Sequence, residues 1–351
     1  MAYKISNTAM IIESDGKAIL IADEAYYKGT LSIGSTLKDL SSDYFTDYFA
    51  VVTPYHNQGS TSGYSSGGGP PFTTGRNEIN KFPFATDANS SDVGDLTVLR
   101  SFVSGNSSDA SGYCAGGRGP SSTEVNTIDK FPFSADTNAS DVGDLTQARN
   151  NAKTGNSSTA SGYASGGDQT NDTIDKFPFA SDANATDVGD LAEGRNAAAG
   201  QNSTTHGYVS GGGGPVTARH MTIQKFPFAT DTNATLTSQL LTIEKNSMTG
   251  QNSNTHGYVS GGSNSSGYTS TIEKFPFSSD ASAREIGDLT EVTSQAAGQS
   301  STANGYSSGG GPPFSGAKNN IEKFPFATDA NATDVGDLSD GPRRTQAGQQ
   351  V

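Results

Sequence analysis

The sequence has a single cysteine, Cys114, and no tryptophan among its 351 residues. One cysteine excludes a disulfide within the chain, and such usage is typical of a protein made in a reducing cytoplasm. No run of 18 apolar residues occurs, so we expect no helix that spans a bilayer. The amino terminus lacks a basic segment followed by an apolar one, and the sequence therefore predicts no signal peptide.

Basic residues are also scarce. The chain has 22 Lys and Arg against 36 Asp and Glu, which gives a formal net charge of −14. A surface of that sign repels phosphate backbones and anionic lipids, so it argues against nucleic-acid binding and membrane insertion. Apolar residues make up only 32% of the chain and glycine is abundant, at 43 residues. This composition can indicate disorder, but the fixed spacing of the aromatic residues predicts a folded chain.

The tetrapeptide Lys-Phe-Pro-Phe recurs six times at a spacing of 46 or 49 residues. Its copies begin at Lys81, Lys130, Lys176, Lys225, Lys274 and Lys323. A regular period near 50 residues is typical of propellers and solenoids. Each repeat contains four short parts: a small segment, Gly-Tyr-x-x-Gly-Gly, Ile-x-Lys-Phe-Pro-Phe, and an acidic turn followed by Val-Gly-Asp-Leu. Four short strands make one propeller blade, so we predict an all-β, six-bladed β-propeller over residues 56–351.

The aromatic residues of the repeat have predicted places in this fold. The Tyr of the second part and the Phe residues of the third should fill the space between neighbouring blades. The small residues of the first part suit the crowded centre of the ring. The proline has no N–H to donate, so we expect the third strand to end there.

Residues 1–55 do not carry the repeat. Residues 9–22 contain two apolar runs around Asp15 and Gly16, and an Asp-Gly pair in that setting favours a hairpin. We interpret this segment as a small β-rich attachment or connector module.

The ring must also be closed, because the first repeat lacks a clear inner strand before Tyr64. Residues 343–351 follow the sixth repeat and match the start of a new first strand. We predict that they supply the inner strand of the first blade. The alternative is that residues 49–55 fill that position.

The acidic turns carry alternating Asp and Asn residues, which could ligate Ca²⁺. The fourth and fifth copies lose several of these residues, and no glycine stands at the sharp-turn position of a calcium loop. We therefore interpret them as structural turns. No triad spacing, phosphate loop or convergent histidine set stands out either. The sequence thus predicts no catalytic residue, no metal site, no cofactor and no enzymatic activity.

The segments after the Gly-Gly pairs differ in length and chemistry from repeat to repeat. Variable loops on a rigid scaffold are the usual place for recognition. The candidate binding residues are Phe72, Arg76, Arg118, Arg219, His220, Tyr268 and Phe314. The alternative, that these loops are only tolerated surface variation, stays open.

The repeat resembles the kelch repeat. Residues 207–212 (GYVSGG) match its glycine pair, residues 174–179 match its third strand, and Arg100, Arg149 and Arg195 match its arginine. The outer-strand tryptophan of that family is absent, and Val-Gly-Asp-Leu stands in its place. The resemblance covers about residues 60–351 and implies a kelch-like propeller.

A second resemblance involves residues 1–12 (MAYKISNTAMII) and the Lys-Phe-Pro-Phe units. Both are similar to segments of tail-fibre-like and other virion structural proteins of marine bacteriophages. This implies a non-enzymatic virion protein, made in the host cytoplasm, whose amino-terminal module contacts other virion proteins. The propeller would then bind a host-surface receptor or glycan, and an oligomer is allowed. The alternatives are a bacterial kelch-type interaction or surface-adhesion module and, third, a kelch-fold enzyme.

Overall fold

The structure is a computed structural model. It describes residues 58–69, 75–150, 154–167, 171–214, 219–279, 281–312 and 316–351, together with five strands between residues 4 and 39. The chain divides into two compact units, Met1–Tyr55 and His56–Val351. Phe72 and Phe314 lie outside the described residues, as do residues 49–55.

The described strands of the first unit form two small sheets. They are β1 (Lys4–Ser6), β2 (Ala9–Ser14), β3 (Lys17–Ala22), β4 (Thr30–Ile33) and β5 (Thr36–Asp39). β1, β2 and β3 form one antiparallel sheet, and β4 pairs with β5. β2 and β3 are the two segments that flank Asp15 and Gly16.

The described strands of the second unit form six four-stranded antiparallel sheets and one two-stranded hairpin. These strands are β6 (Ser62–Ser66), β7 (Arg76–Pro83), β8 (Ser91–Arg100), β9 (Ser104–Ser107), β10 (Ser111–Ala115), β11 (Thr127–Pro132), β12 (Ser140–Asp144), β13 (Thr154–Ser157), β14 (Ser161–Ser165), β15 (Thr173–Pro178), β16 (Thr186–Asp190), β17 (Ala199–Asn202), β18 (His206–Ser210), β19 (Thr222–Pro227), β20 (Thr235–Leu240), β21 (Thr249–Asn252), β22 (His256–Ser260), β23 (Ser263–Asn264), β24 (Gly267–Tyr268), β25 (Thr271–Pro276), β26 (Arg284–Asp288), β27 (Ala297–Ser300), β28 (Asn304–Ser308), β29 (Asn320–Pro325), β30 (Thr333–Asp337) and β31 (Ala347–Gln350). Pro120–Ser122 forms one 3₁₀ turn.

The sheets are the six blades of a propeller, which confirms the predicted all-β, six-bladed fold. Blade 1 has the order β31-β6-β7-β8, and blades 2, 3 and 4 are β9–β12, β13–β16 and β17–β20. Blade 5 is β21-β22-β25-β26, with the extra hairpin β23-β24, and blade 6 is β27–β30. The carboxy-terminal strand β31 pairs with β6, so that Gln349 lies opposite Tyr64. Of the two segments considered from the sequence for this position, residues 343–351 occupy it.

Each third strand ends at the proline of Lys-Phe-Pro-Phe, as predicted. The first Phe of each motif is buried and lies opposite the glycine that precedes Tyr in the second strand. In blade 4, Gly207 faces Phe226, and a Cβ on Gly207 would overlap the Phe226 ring. The Gly-Gly pair then turns the chain with positive φ, 58° at Gly211 and 99° at Gly212. Only glycine adopts such successive conformations without strain.

Aromatic packing joins each blade to the next, as the sequence predicts. The Tyr of each second strand contacts both Phe rings of the following blade: Tyr64 with Phe131 and Phe133, Tyr113 with Phe177 and Phe179, Tyr163 with Phe226 and Phe228, Tyr208 with Phe275 and Phe277, Tyr258 with Phe324 and Phe326, and Tyr306 with Phe82 and Phe84. The last pair links blade 6 to blade 1. The same contact therefore recurs at all six interfaces.

The inner strands pack against one another around the axis, and each has glycine as its second residue. These glycines are Gly105, Gly155, Gly200, Gly250, Gly298 and Gly348. A Cβ at Gly155 would overlap the carbonyl oxygen of Gly105. The next residue, Asn or Gln, donates its side-chain amide to a tyrosine carbonyl of the following blade, as from Gln251 to Tyr306 (2.9 Å) and from Gln299 to Tyr64 (2.8 Å).

The acidic turns form ion pairs and hydrogen bonds, and many of these contacts join one blade to the next. Lys130 on the third strand of blade 2 pairs with Asp182 in the turn of blade 3 (2.9 Å). Asn184 in the same turn accepts the N–H of Asp144 in the outer strand of blade 2 (3.0 Å). Equivalent lysine–aspartate pairs occur at Lys81–Asp136, Lys176–Asp231, Lys274–Asp329 and Lys323–Asp87.

The interface between blades 4 and 5 departs from this pattern on both sides at once. Ser282 stands where the other turns have Asn. Gln239 of blade 4 is buried and donates to the carbonyl oxygens of Pro276 (2.7 Å), Ser279 (2.8 Å) and Ala281 (3.2 Å). Gln239 thus joins blade 4 to the turn of blade 5 by donating to its backbone.

Candidate functional site: the crossover face

The Gly-Gly loops and the crossovers from each outer strand to the next inner strand lie at one end of the propeller, here called the crossover face. The second glycine of each pair donates its N–H to a carbonyl of the following crossover. The six pairs are Gly68–Arg100, Gly117–Arg149, Gly167–Arg195, Gly212–Lys245, Gly262–Thr293 and Gly310–Arg343, at 2.7–3.0 Å. The variable loops therefore stand on a repeated, hydrogen-bonded base.

A buried cation lies under this face in five of the six blades. The cations are Arg100, Arg149, Arg195, Lys245 and Arg343, and Thr293 has the corresponding position in blade 6. The Arg149 guanidinium donates to the carbonyl oxygens of Gly166 (2.9 Å) and Thr173 (3.1 Å) and forms an ion pair with Asp175. Both side chains of that pair are 0% exposed.

The carboxylate that meets the cation comes from one of two places. In blades 2, 3 and 5 it is the x residue of Ile-x-Lys-Phe-Pro-Phe, namely Asp129, Asp175 or Glu273. In blades 1 and 4 that residue is neutral, Asn80 or Gln224. There the crossover itself supplies the acid: Asp340 binds Arg343 (2.6 Å) and Glu193 binds Arg195 (3.0 Å). In five blades, therefore, one carboxylate neutralises the buried cation. It comes from the third strand in three blades and from the crossover in two.

Blade 6 has the acid without the cation at the usual position. Glu322 is 1% exposed and accepts the N–H of Thr290 (3.0 Å) as well as its hydroxyl. Burial raises the pKa of the Glu322 carboxyl, while the Thr290 hydrogen bonds and the charge of Lys318 oppose the rise and Asp334 adds to it. The Lys318 ammonium itself is paired with Glu291. A carboxylate held this way is costly to ionise.

We expect Thr293→Lys to stabilise the protein by about 1–3 kcal/mol at pH 7, because an adjacent cation favours the charged carboxylate. The variant reproduces the Lys245–Glu273 pair of blade 5. In the wild type, the folded state binds the Glu322 proton more tightly than the unfolded chain does. The contribution of Glu322 to stability therefore falls as the pH rises from the pKa of this carboxyl in the unfolded chain, about 4.3, through its raised pKa in the folded protein.

Thermal unfolding between pH 4 and pH 7 measures this effect. Thr293→Lys should lose the part of the decline that belongs to Glu322, whereas the matched control Thr293→Val should keep it. If Lys and Val variants show the same pH profile, Glu322 is not the group responsible.

Two predicted binding residues, Arg76 and Arg118, lie on blades 1 and 2. Arg76 begins β7 and donates to the Asp340 carbonyl (2.8 Å), with the Glu78 carboxylate 3.6 Å away. Arg118 follows the Gly-Gly pair of blade 2 and is half-buried. Its backbone bridges Ser101 and Glu124. These two side chains belong to separate loops.

Three predicted residues lie on two loops that meet: Arg219 and His220 on the loop of blade 4, and Tyr268 on the hairpin of blade 5. Arg219 Nη2 is 3.5 Å from Ser263 Oγ, and Ser263 pairs with Tyr268 in the β23-β24 hairpin. His220 follows Arg219, and its Nδ1 lies 3.4 Å from Glu193 Oε2. We call Glu193, Arg219, His220, Ser263 and Tyr268 the blade 4–5 rim.

The rim combines groups suited to a polar ligand. Burial and the nearby Arg195 charge lower the pKa of His220, which Glu193 partly opposes, so the imidazole is neutral at pH 7. A neutral imidazole can both donate and accept hydrogen bonds. The Glu193 carboxylate lies beside this imidazole, and the Arg219 guanidinium and the Tyr268 phenol belong to the same two loops. Such groups can bind hydroxyl and amide groups.

Sequence reasoning missed Glu193 and Ser263. The signal for Glu193 was present, since an acid two residues before the crossover arginine coincides with a neutral Gln224. Ser263 has no such signal, because its place depends on how two loops of different blades meet.

Cys114 and the remaining metal-ligating residue types lie outside the blade 4–5 rim. Cys114 is fully buried, and burial raises its pKa to about 11, so it is a protonated packing residue at neutral pH. The described residues contain no group of three His, Cys, Asp or Glu side chains placed to hold a metal ion. No helix among them is long and apolar enough to cross a membrane.

Comparison with known proteins gave no match, neither to a protein-family model nor to a curated protein.

Proposed function

We propose that the chain is a non-enzymatic virion structural protein, a component of a phage tail fibre or related appendage, and that its propeller binds a host-surface receptor or glycan. The contrast between a constant base and variable loops carries the recognition part of this proposal. Six equivalent glycine–carbonyl bonds hold the crossover face, while the loops above them differ in every repeat. Recognition proteins commonly combine a rigid scaffold with variable loops.

The blade 4–5 rim supports a polar receptor. Its two loops approach one another through Arg219 and Ser263, and its side chains suit hydroxyl-rich ligands. The virion part of the proposal is supported by the resemblance of residues 1–12 and of the repeats. Under this proposal, the amino-terminal unit contacts other virion proteins.

Mass spectrometry of purified particles tests the virion assignment. The chain should be present at a fixed ratio to the major structural proteins. Its absence from particles would leave a bacterial interaction module as the better account.

Binding of the purified chain to host cells tests the recognition face. The double variant Arg219→Ala/Tyr268→Ala should weaken binding at least about tenfold, since interface Arg and Tyr residues each commonly contribute more than 1 kcal/mol. The control Lys130→Ala removes only an exposed ion pair with Asp182 at an acidic turn and should bind as the wild type does. Equal binding by all three proteins would exclude the rim.

A further inference from the structure

The outer edges of the blades differ in charge. Each outer strand is the last strand of its sheet and pairs with one neighbour. The second residue of the outer strand is acidic in five blades: Asp92, Asp141, Asp187, Glu285 and Asp334. A second acid follows in each of these strands, whereas β20 of blade 4 (TLTSQL) has no charged residue. Leu236 stands at the acidic position and is 46% exposed.

Charge on an edge strand has a known physical effect. An unpaired edge presents N–H and C=O groups that can pair with another strand, and charged side chains on the edge oppose this. Two identical acidic edges would place carboxylates opposite one another, which is destabilising. The overall charge of −14 adds to that repulsion. Five of the six edges are therefore protected against pairing with a second copy, and blade 4 is not.

The irregularity of the ladder does not distinguish blade 4. All six outer ladders carry a register shift between the third and outer strands. Packing within the chain also does not depend on the Leu236 side chain. Thr237 Oγ1 donates to the Ile223 carbonyl (3.0 Å) and Gln239 reaches blade 5, so these two residues fix the strand while Leu236 faces outward.

We propose that β20 is a self-association edge, which pairs antiparallel with β20 of a second copy of this chain across a twofold axis. A twofold interface brings the same patch of both copies together. The partner strand must then be uncharged, and among the six outer strands only β20 meets that condition. Leu236 of each copy covers apolar surface of the other.

The expected association is weak. A single pair of short strands buries less than the roughly 1,600 Å² of a typical stable interface. We therefore expect a dimer whose dissociation constant lies in the micromolar range.

Sedimentation velocity of the full chain from about 1 to 200 µM, around the micromolar dissociation constant expected above, tests this inference. The wild type should show concentration-dependent pairing. Leu236→Asp should raise the dissociation constant at least tenfold, and it should fold, because four other blades have Asp at this position. The control Val292→Asp removes a comparably exposed apolar side chain (42%) that lies in a crossover, and it should associate as the wild type does.

A charge-swap experiment shows whether the pairing is of β20 with itself. Leu236→Asp and Leu236→Lys should each fail to pair alone, whereas an equimolar mixture should recover the dimer. Hydrogen exchange of the amides in Thr235–Leu240 should slow at high concentration in the wild type only. The proposal is overturned if the wild type does not associate through this range, if Leu236→Asp associates unchanged, or if mixing the two variants restores nothing.

Discussion

Phe275→Ala is expected to lower the free energy of unfolding by about 3–5 kcal/mol, the range for truncating a buried core aromatic. Phe275 is 0% exposed and lies 5.8 Å, between ring centroids, from Tyr208 of the preceding blade. Its ring also covers Gly257 of its own blade. The substitution thus opens a cavity that borders two blades. Gly257 has no side chain that could fill it.

Urea unfolding followed by circular dichroism measures this loss. Phe277→Ala is the matched control, because Phe277 stacks on the same Tyr208 ring (4.8 Å) but remains partly exposed. It should cost clearly less. Equal midpoints for Phe275→Ala and the wild type would mean that the side chains inside the interface are not those described.

Asp175→Gln is expected to destabilise the protein by a similar amount, about 3–5 kcal/mol, because it leaves a buried guanidinium without its carboxylate. Gln retains an oxygen that can accept the Thr146 N–H now bound by Asp175 (3.1 Å). Gln224 makes the equivalent bond to the Ala192 N–H in blade 4 (2.6 Å). The change therefore removes the charge and keeps the hydrogen-bond acceptor.

The protein supplies its own rescue for this variant. In blade 4 a neutral Gln224 coexists with Glu193, which binds Arg195 from two residues away. Gln147 has the corresponding position before Arg149. Asp175→Gln/Gln147→Glu should recover at least half of the stability that Asp175→Gln loses. Gln147→Glu in the wild-type background should give no such gain. If the double variant unfolds as easily as Asp175→Gln, the charge balance is not what stabilises this blade.

The sequence alone was sufficient for the parts of the fold that repeat. Lys-Phe-Pro-Phe marked the blades, and the pairing of Tyr208 with Phe275 follows from placing the larger aromatics between sheets. Counting six third strands and a spare first strand favoured the pairing of β31 with β6, with residues 49–55 left as the alternative. These features depend on local pattern and on the number of copies, which a sequence displays directly.

The charge network could not be derived in the same way. Arg149 and Asp175 are separated by a whole hairpin, and only the strand register shows that their side chains meet. The acidic turns form ion pairs and hydrogen bonds, but the partners of Asp182 and Asn184 belong to the preceding blade, which an argument from the turn alone cannot identify. The blade 4–5 rim is less predictable still, since Arg219 and Ser263 approach one another through two loops of different length.

The pairing of β31 with β6 also has a consequence for biosynthesis. Tyr64 and Gln349 are neighbours in the ladder, yet the ribosome adds Gln349 long after Tyr64. At about 5–20 residues per second, blade 1 waits roughly 15–60 s for its inner strand. Until then the blade 1 sheet has an open inner edge, and blade 6 has not met Phe82. Closure of this ring therefore cannot precede the translation of β31.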